Sequence, residues 1–197
     1  MWRRKVSVAL SAGVLSAMSA LALATPTDAH RGDQRAERHH GQTVEIVDDC
    51  DPASFNAFRA GICVGDGETT LGEFFAELGA TGKVEAWEFD PSMLTIRGGR
   101  PVIVENKGGE THTFTMVEAF GGGFVKELNL LPDTAVVATE CADTLPNGTL
   151  VPKPPSAVNV FVDADKEASF ETAGLTPGKY MFECCIHPWM RIVLTVK

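Results

Sequence analysis

Gly178-Lys-Tyr180-Met-Phe182-Glu-Cys184-Cys185-Ile-His187-Pro188-Trp189-Met190 brings a thiolate, an imidazole and a thioether within seven residues near the end of a 197-residue chain. Side chains at i, i+2 and i+4 of a strand share a face, so Tyr180, Phe182 and Cys184 point one way and Cys185 the other. The apolar pair marks the shared face as core, which turns Cys184 inward. Beyond it the chain must curl back, and Pro188 stiffens that curl. The spacing is Cys-x-x-His-x-x-Met. Soft sulfur and borderline imidazole donors together favour copper over hard cations, and two His, one Cys and a weak axial Met form the donor set of electron-transfer copper sites. The stretch supplies one His only. Of the five in the chain, His30, His39 and His40 sit in a polar N-terminal run, which leaves His112 as the partner.

His112 closes the stretch Pro101-Val-Ile-Val-Glu-Asn106-Lys-Gly108-Gly109-Glu-Thr-His112-Thr-Phe114, which reads as a strand, a Gly-rich loop and the start of a second strand. Loops from non-adjacent strands meet at the ends of a sandwich, where they can carry a site on a rigid sheet. Further apolar, β-branched runs lie at 93–96, 157–162, 168–172 and 191–196, punctuated by Gly98-Gly99, Gly121-Gly122-Gly123 and Pro177-Gly178. This spacing of short strands predicts an all-β, antiparallel β-sandwich rather than a βαβ fold.

Asn106 to Phe114 and Gly178 to Arg191 resemble the two ligand segments of the cupredoxins, the type 1 (blue) copper family, and the short loop is most similar to amicyanin- and plastocyanin-like members. Trp87 to Gly99 resembles the strand and turn that open such domains, so the likeness runs from about residue 84 to 197. It implies a Greek-key sandwich holding one type 1 copper ion, with His112, Cys184 and His187 as equatorial ligands and Met190 as the axial one. It also implies that Thr113 ties the ligand loops together, and that His187 is the exposed ligand through which electrons pass. A redox partner protein would then dock near His187, Pro188 and Trp189. Seventy-one residues separate His112 from Cys184. That length points to an insertion between roughly Ala119 and Pro155.

Residues 1–24, with Arg3, Arg4 and Lys5 ahead of an Ala- and Leu-rich run, have the layout of a cleavable signal peptide, so a secreted or periplasmic, soluble protein with no membrane span is expected. Cleavage would take the 17 basic residues to 14 against 26 acidic ones, a net charge of −12. Nucleic acid is thereby excluded as a natural partner. Residues 25–43 read as a disordered linker, and 44–83 as a helical extension to the 84–197 domain. Within that extension, Val44 to Val47 suggests a short strand, and Asp51-Pro52 opens a brief helix. Thr70 and Glu73 form a capping box for a second helix, whose apolar stripe is Leu71, Phe74, Phe75 and Leu78. Setting Cys184 aside as a ligand, four cysteines remain and allow three pairings. Cys50 with Cys63 closes a short local loop, and Cys141 with Cys185 would pin the insertion beside the ligand loop.

The functional expectation is a non-enzyme carrier of single electrons between redox partners through Cu(I) and Cu(II). A copper-binding or delivery protein without an electron-transfer role is the alternative. An enzyme of the multicopper kind needs further copper centres with clustered His, for which this chain has too few.

Overall fold

The computed structural model of the chain describes residues 42–197. The expected leader, most of the expected linker and the three N-terminal His lie outside the described residues. Eleven strands make two facing sheets and a small hairpin. The first sheet has the order β2 (Glu88–Asp90), β1 (Thr43–Val47), β4 (Val102–Asn106) and β9 (Glu167–Phe170). The second has the order β3 (Met93–Ile96), β11 (Arg191–Val196), β10 (Gly178–Glu183), β5 (His112–Val117) and β8 (Asn159–Val162). Alternation sets the facing: Val44 and Ile46 of β1, Val102 and Val104 of β4, and Ile192, Leu194 and Val196 of β11 are all buried. Between the sheets, the Phe114 ring stacks on Phe182 at 4.4 Å, and Phe182 meets Phe170 edge-on at 4.8 Å. Because Phe170 belongs to the first sheet and the other two to the second, these rings join the two layers.

The sandwich is present as the sequence predicts, with one difference in pairing. β1 runs parallel to β4, and β3 parallel to β11. Turn signals reveal hairpins between neighbours in sequence, whereas parallel partners need a long crossover and leave no local mark. The segment before residue 84 shares a sheet with the segment after it, because β1 lies between β2 and β4.

Two short helices follow β1. Helix α1 (Pro52–Phe58) starts where the Asp51 carboxylate accepts from the N–H of Ala53 and Ser54, with Pro52 in the first turn. Helix α2 (Leu71–Thr81) carries the full Thr70–Glu73 capping box and ends at Gly82 in the left-handed region, φ 78°. Its stripe buries Phe74 and Leu78, while Phe75, expected to be buried with them, is 44% exposed. Phe74 packs edge-on against Trp87 at 4.9 Å, and Phe55 of α1 stacks on the same indole at 6.0 Å. These contacts fasten both helices to one end of the sandwich. Cys50 pairs with Cys63 and Cys141 with Cys185, as the favoured pairing had it. The expected insertion holds two 3₁₀ turns and the hairpin of β6 (Ala142–Thr144) and β7 (Leu150–Pro152).

Candidate metal centre

His112 opens β5 directly after a loop that the sequence pins from inside. The Asn106 amide donates to the carbonyls of Glu110 (2.7 Å) and Val162 (3.0 Å), and its oxygen accepts from the Gly108 N–H at 2.9 Å. A Cβ on Gly108 would collide with the Asp48 carboxylate, so only glycine lets the loop come this close. Cys184 follows the last residue of β10. Its N–H donates to the Met190 carbonyl at 3.0 Å, and the Met190 N–H donates to the His187 carbonyl at 2.9 Å. These two bonds close the loop and turn its His back over its Cys. Trp189 Nε1 anchors the loop to the Val84 carbonyl at 3.1 Å.

The result is a triangle of donor atoms. Cys184 Sγ lies 3.7 Å from His112 Nδ1 and 3.9 Å from His187 Nδ1, and the two nitrogens are 3.3 Å apart. With bonds of about 2.05 Å to nitrogen and about 2.3 Å to sulfur, these edges correspond to angles of roughly 107°, 116° and 127° at an ion. The sum approaches that of a planar trigonal ion, the arrangement of His₂Cys copper sites. The donors are 0%, 0% and 2% exposed for His112, Cys184 and His187. Two softer contacts favour a thiolate: the N–H groups of Thr113 and His187 point at Cys184 Sγ from 3.4 and 3.5 Å. The residues therefore fit one copper ion.

The electrostatics agree. Burial pushes the Cys184 thiol up, but hydrogen bonds from His112 and His187, and their charge, pull it well below the ordinary thiol range. His112 is pulled down by burial and raised by its bonds to Asp48 and Cys184, with a net rise to about 10. Asp48 is raised by burial, yet the bond and charge of His112 and the N–H groups of Glu110 and Gly109 hold it at about 2. Without metal, a proton thus sits on His112 between a carboxylate and a thiolate. An ion binding at Nδ1 must displace charge of the same sign, so uptake of metal releases protons.

The structure brings His112, Cys184 and His187 together, and these three form a cluster that could hold one metal ion. Met190 is buried in the core, its backbone paired with Cys184. Cys185 faces away, into a second cluster with Cys141, Val117 and Ala138. Thr113 does tie the loops: its hydroxyl accepts from the Cys185 N–H at 2.7 Å.

The expectation of an exposed His187 is corrected. Phe74 of α2 stands edge-on to its ring at 6.3 Å and Trp189 at 5.4 Å, so the helical segment covers it. Pro188 is buried as well, and Trp189 only partly exposed. A groove of about 440 Å³ between α1, α2 and the 124–128 segment reaches down to His187 and Glu110.

Two residues went unnoticed in the sequence. Asp48 Oδ2 lies 2.9 Å from His112 Nε2, with both side chains fully buried. Glu110 Oε2 lies 3.6 Å from His187 Nε2 and accepts from Trp87 Nε1 at 2.7 Å. A signal for Asp48 existed: it continues the inward phase of Val44 and Ile46, where a carboxylate needs a partner. Nothing local marked Glu110. Farther off, burial raises Glu183 to about 8, against the lowering effects of the Gly121 N–H and Arg191. Cys141 is in a disulfide and carries no hydrogen, so its 3.6 Å contact with Glu183 Oε1 suits a neutral carboxyl donating to sulfur.

Among the described residues, the fold and site define a β-sandwich with one buried His–Cys–His cluster that could hold a metal ion, and solved structures that this chain resembles include cupredoxins. A purple cupredoxin from Nitrosopumilus maritimus is 18% identical over 58% of this chain and 86% of its own, at a TM-score of 0.33. A variant of amicyanin in its Cu(I) form is 14% identical over 58% and 76%, also at 0.33. Oxidised plastocyanin from Dryopteris crassirhizoma is 18% identical over 79% and 99%, at 0.34. Likeness at this level is no guide to the centre, whose case rests on its own geometry. No protein-family model matches the chain, and no curated protein matches it.

Proposed function

We propose that the chain is an exported copper protein that carries single electrons, with His112, Cys184 and His187 as close ligands of one ion and Met190 as a weak axial fourth. The observation behind this reading is the buried triangle of two imidazole nitrogens and one sulfur, with edges of 3.3, 3.7 and 3.9 Å. Copper bound there supplies a one-electron couple between Cu(II) and Cu(I). The chain's own part is to hold the donors still. Asp48 fixes the His112 ring through Nε2 and so turns Nδ1 toward the Cys184 sulfur, at which two backbone N–H groups also aim. Donors braced on several sides rearrange little when the charge of the ion changes, which favours fast transfer.

Burial favours a carrier over a delivery protein. Handing over an ion requires donors that a receiver can reach, and here the two His and the Cys are enclosed. A redox partner protein docks, in this reading, over the covered edge of His187, near Pro188, Trp189 and the groove mouth, and electrons cross the thin aromatic layer between. The two disulfides suit an oxidising compartment outside the cytoplasm. Among the described residues no helix is long and apolar enough to cross a membrane. The leader at 1–24 and linker at 25–43 belong to the same proposal.

Reconstitution of the purified protein with Cu(II) tests it. The expected result is an intense visible thiolate-to-copper absorption and a reversible one-electron couple. A colourless, copper-free product overturns the reading, and tight Cu(I) binding with no reversible couple turns it into a delivery protein.

A further inference from the structure

We propose that Asp48, acting through His112 Nε2, is a positioning residue that weights the centre toward its oxidised ion, with Glu110 behind His187 as a weaker second. This rests on the copper reading above. Both ligand imidazoles present Nδ1 to the Cys184 sulfur and Nε2 to a carboxylate. The centre therefore has an acidic side chain behind each ring, and neither belongs to the donor set.

Asp48 is built in. Its carboxylate faces His112 Nε2 at 2.9 Å and accepts from the N–H groups of Gly109 at 2.9 Å, Glu110 at 3.0 Å and Cys50 at 3.3 Å. Four partners leave it no freedom to turn away, and the absence of exposed side-chain surface leaves little water to screen it. Three backbone N–H groups donating to the carboxylate favour its charged form. A fixed negative charge attracts a divalent ion about twice as strongly as a monovalent one at the same place, so it stabilises Cu(II) over Cu(I). By drawing on the Nε2 proton it also makes the imidazole a better donor, which works in the same direction.

Glu110 ranks below it on three counts. Its oxygen is 3.6 Å from His187 Nε2, beyond hydrogen-bond reach. That oxygen is shared with the Trp87 N–H at 2.7 Å. Glu110 also lines the groove under α1 and α2, where water can screen it more than it can Asp48. Asp48 should therefore outweigh Glu110, although only Glu110 lies near the sequence of either ligand stretch.

Redox titration of the copper-loaded protein, followed by its visible band, tests this with Asp48→Asn, Asp48→Glu and Glu110→Gln. In Asp48→Asn the ratio of Cu(II) to Cu(I) affinity should fall tenfold or more, which for one electron raises the potential by 59 mV or more. Glu110→Gln should move the ratio in the same direction by less. Asp48→Glu, which keeps the charge, should stay within twofold of the wild type, whereas a purely structural role would predict that Glu and Asn disturb the centre alike. An Asp48→Asn ratio within twofold of the wild type, with an intact chromophore, overturns this inference alone. Absence of the chromophore from the wild type overturns it together with the copper reading. If Asp48→Asn does not fold, Glu110→Gln decides: a lowered ratio supports the inference, and an unchanged or raised ratio overturns it.

Discussion

The loop from Cys184 to Met190 and the segment from Thr43 to Thr81 meet at one centre from opposite sides and do opposite work. The loop supplies a sulfur and a nitrogen to the triangle, while the N-terminal segment supplies no donor at all. That segment instead carries the carboxylate behind His112 and the Phe74 ring over His187. The contrast teaches that the kind of ion is written in the loop, whereas its charge environment and its access to solvent are written in elements that never touch it.

Exchanging the sulfur gives the sharpest way to break the comparison. Cys184→Ser should abolish the intense visible absorption of copper-loaded protein altogether while circular dichroism stays that of the folded sandwich. Retained colour would show that the loop does not hold the ligand. Next is Phe74→Ala, which leaves a cavity beneath α2 beside Trp87 and His187 and should cost about 3–5 kcal/mol in denaturant unfolding. If the helix merely rides on the sandwich, its loss will melt α2 separately and leave the spectrum unmoved. If it braces the centre, unfolding stays cooperative and the spectrum shifts. Replacing Cys50 and Cys63 together by Ala removes a cross-link with a sequence separation of 13. A closure of that length should cost about 3 kcal/mol, read as a lower midpoint of unfolding, with the copper spectrum retained.

The smallest effect concerns the insertion. Arg191, next to the ligand loop, forks onto Asp133 at 2.7 and 3.2 Å. This partly exposed pair should contribute at most about 1 kcal/mol, so Asp133→Asn lowers stability slightly at neutral pH. The hydrogen bond from Arg191 holds the Asp133 carboxyl below the ordinary carboxylate range. Its contribution is therefore full above the unfolded value and fades as pH falls through the lowered one. Wild type and variant should converge in acid melts. A gap that widens in acid would mean that the pair is not what joins insertion to loop.

How far the sequence could be read follows the same division. Strand phase was enough to turn Cys184 inward and Cys185 outward, because the pleat fixes direction two residues at a time. The capping box of α2 and the Cys50–Cys63 bridge, with a sequence separation of 13, were legible for a similarly local reason, whereas Cys141 and Cys185, 44 apart, belonged to one of three possible pairings. What escaped was long-range. The parallel pairing of β1 with β4 joins Glu45 to Glu105, sixty residues apart, and leaves no turn signal. It is this pairing that carries Asp48 to the loop before His112, so missing the one meant missing the other. The burial of His187 was hidden likewise. Leu71, Phe74 and Leu78 announced an apolar face without saying what it would cover, and family likeness supplied the wrong expectation of an open ring.

Adjacent cysteines just past the end of β10, turned opposite ways, bear on how the polypeptide matures. Joining Cys185 to Cys141 takes two electrons and two protons from the pair of thiols, whereas Cys184 has to stay reduced to offer a thiolate to an ion. The two sulfurs have different neighbours: Cys184 lies in the main core of the sandwich, and Cys185 lies with Cys141, Val117 and Ala138. In an oxidising compartment, that difference in direction would leave one thiol cross-linked and its neighbour available to an ion.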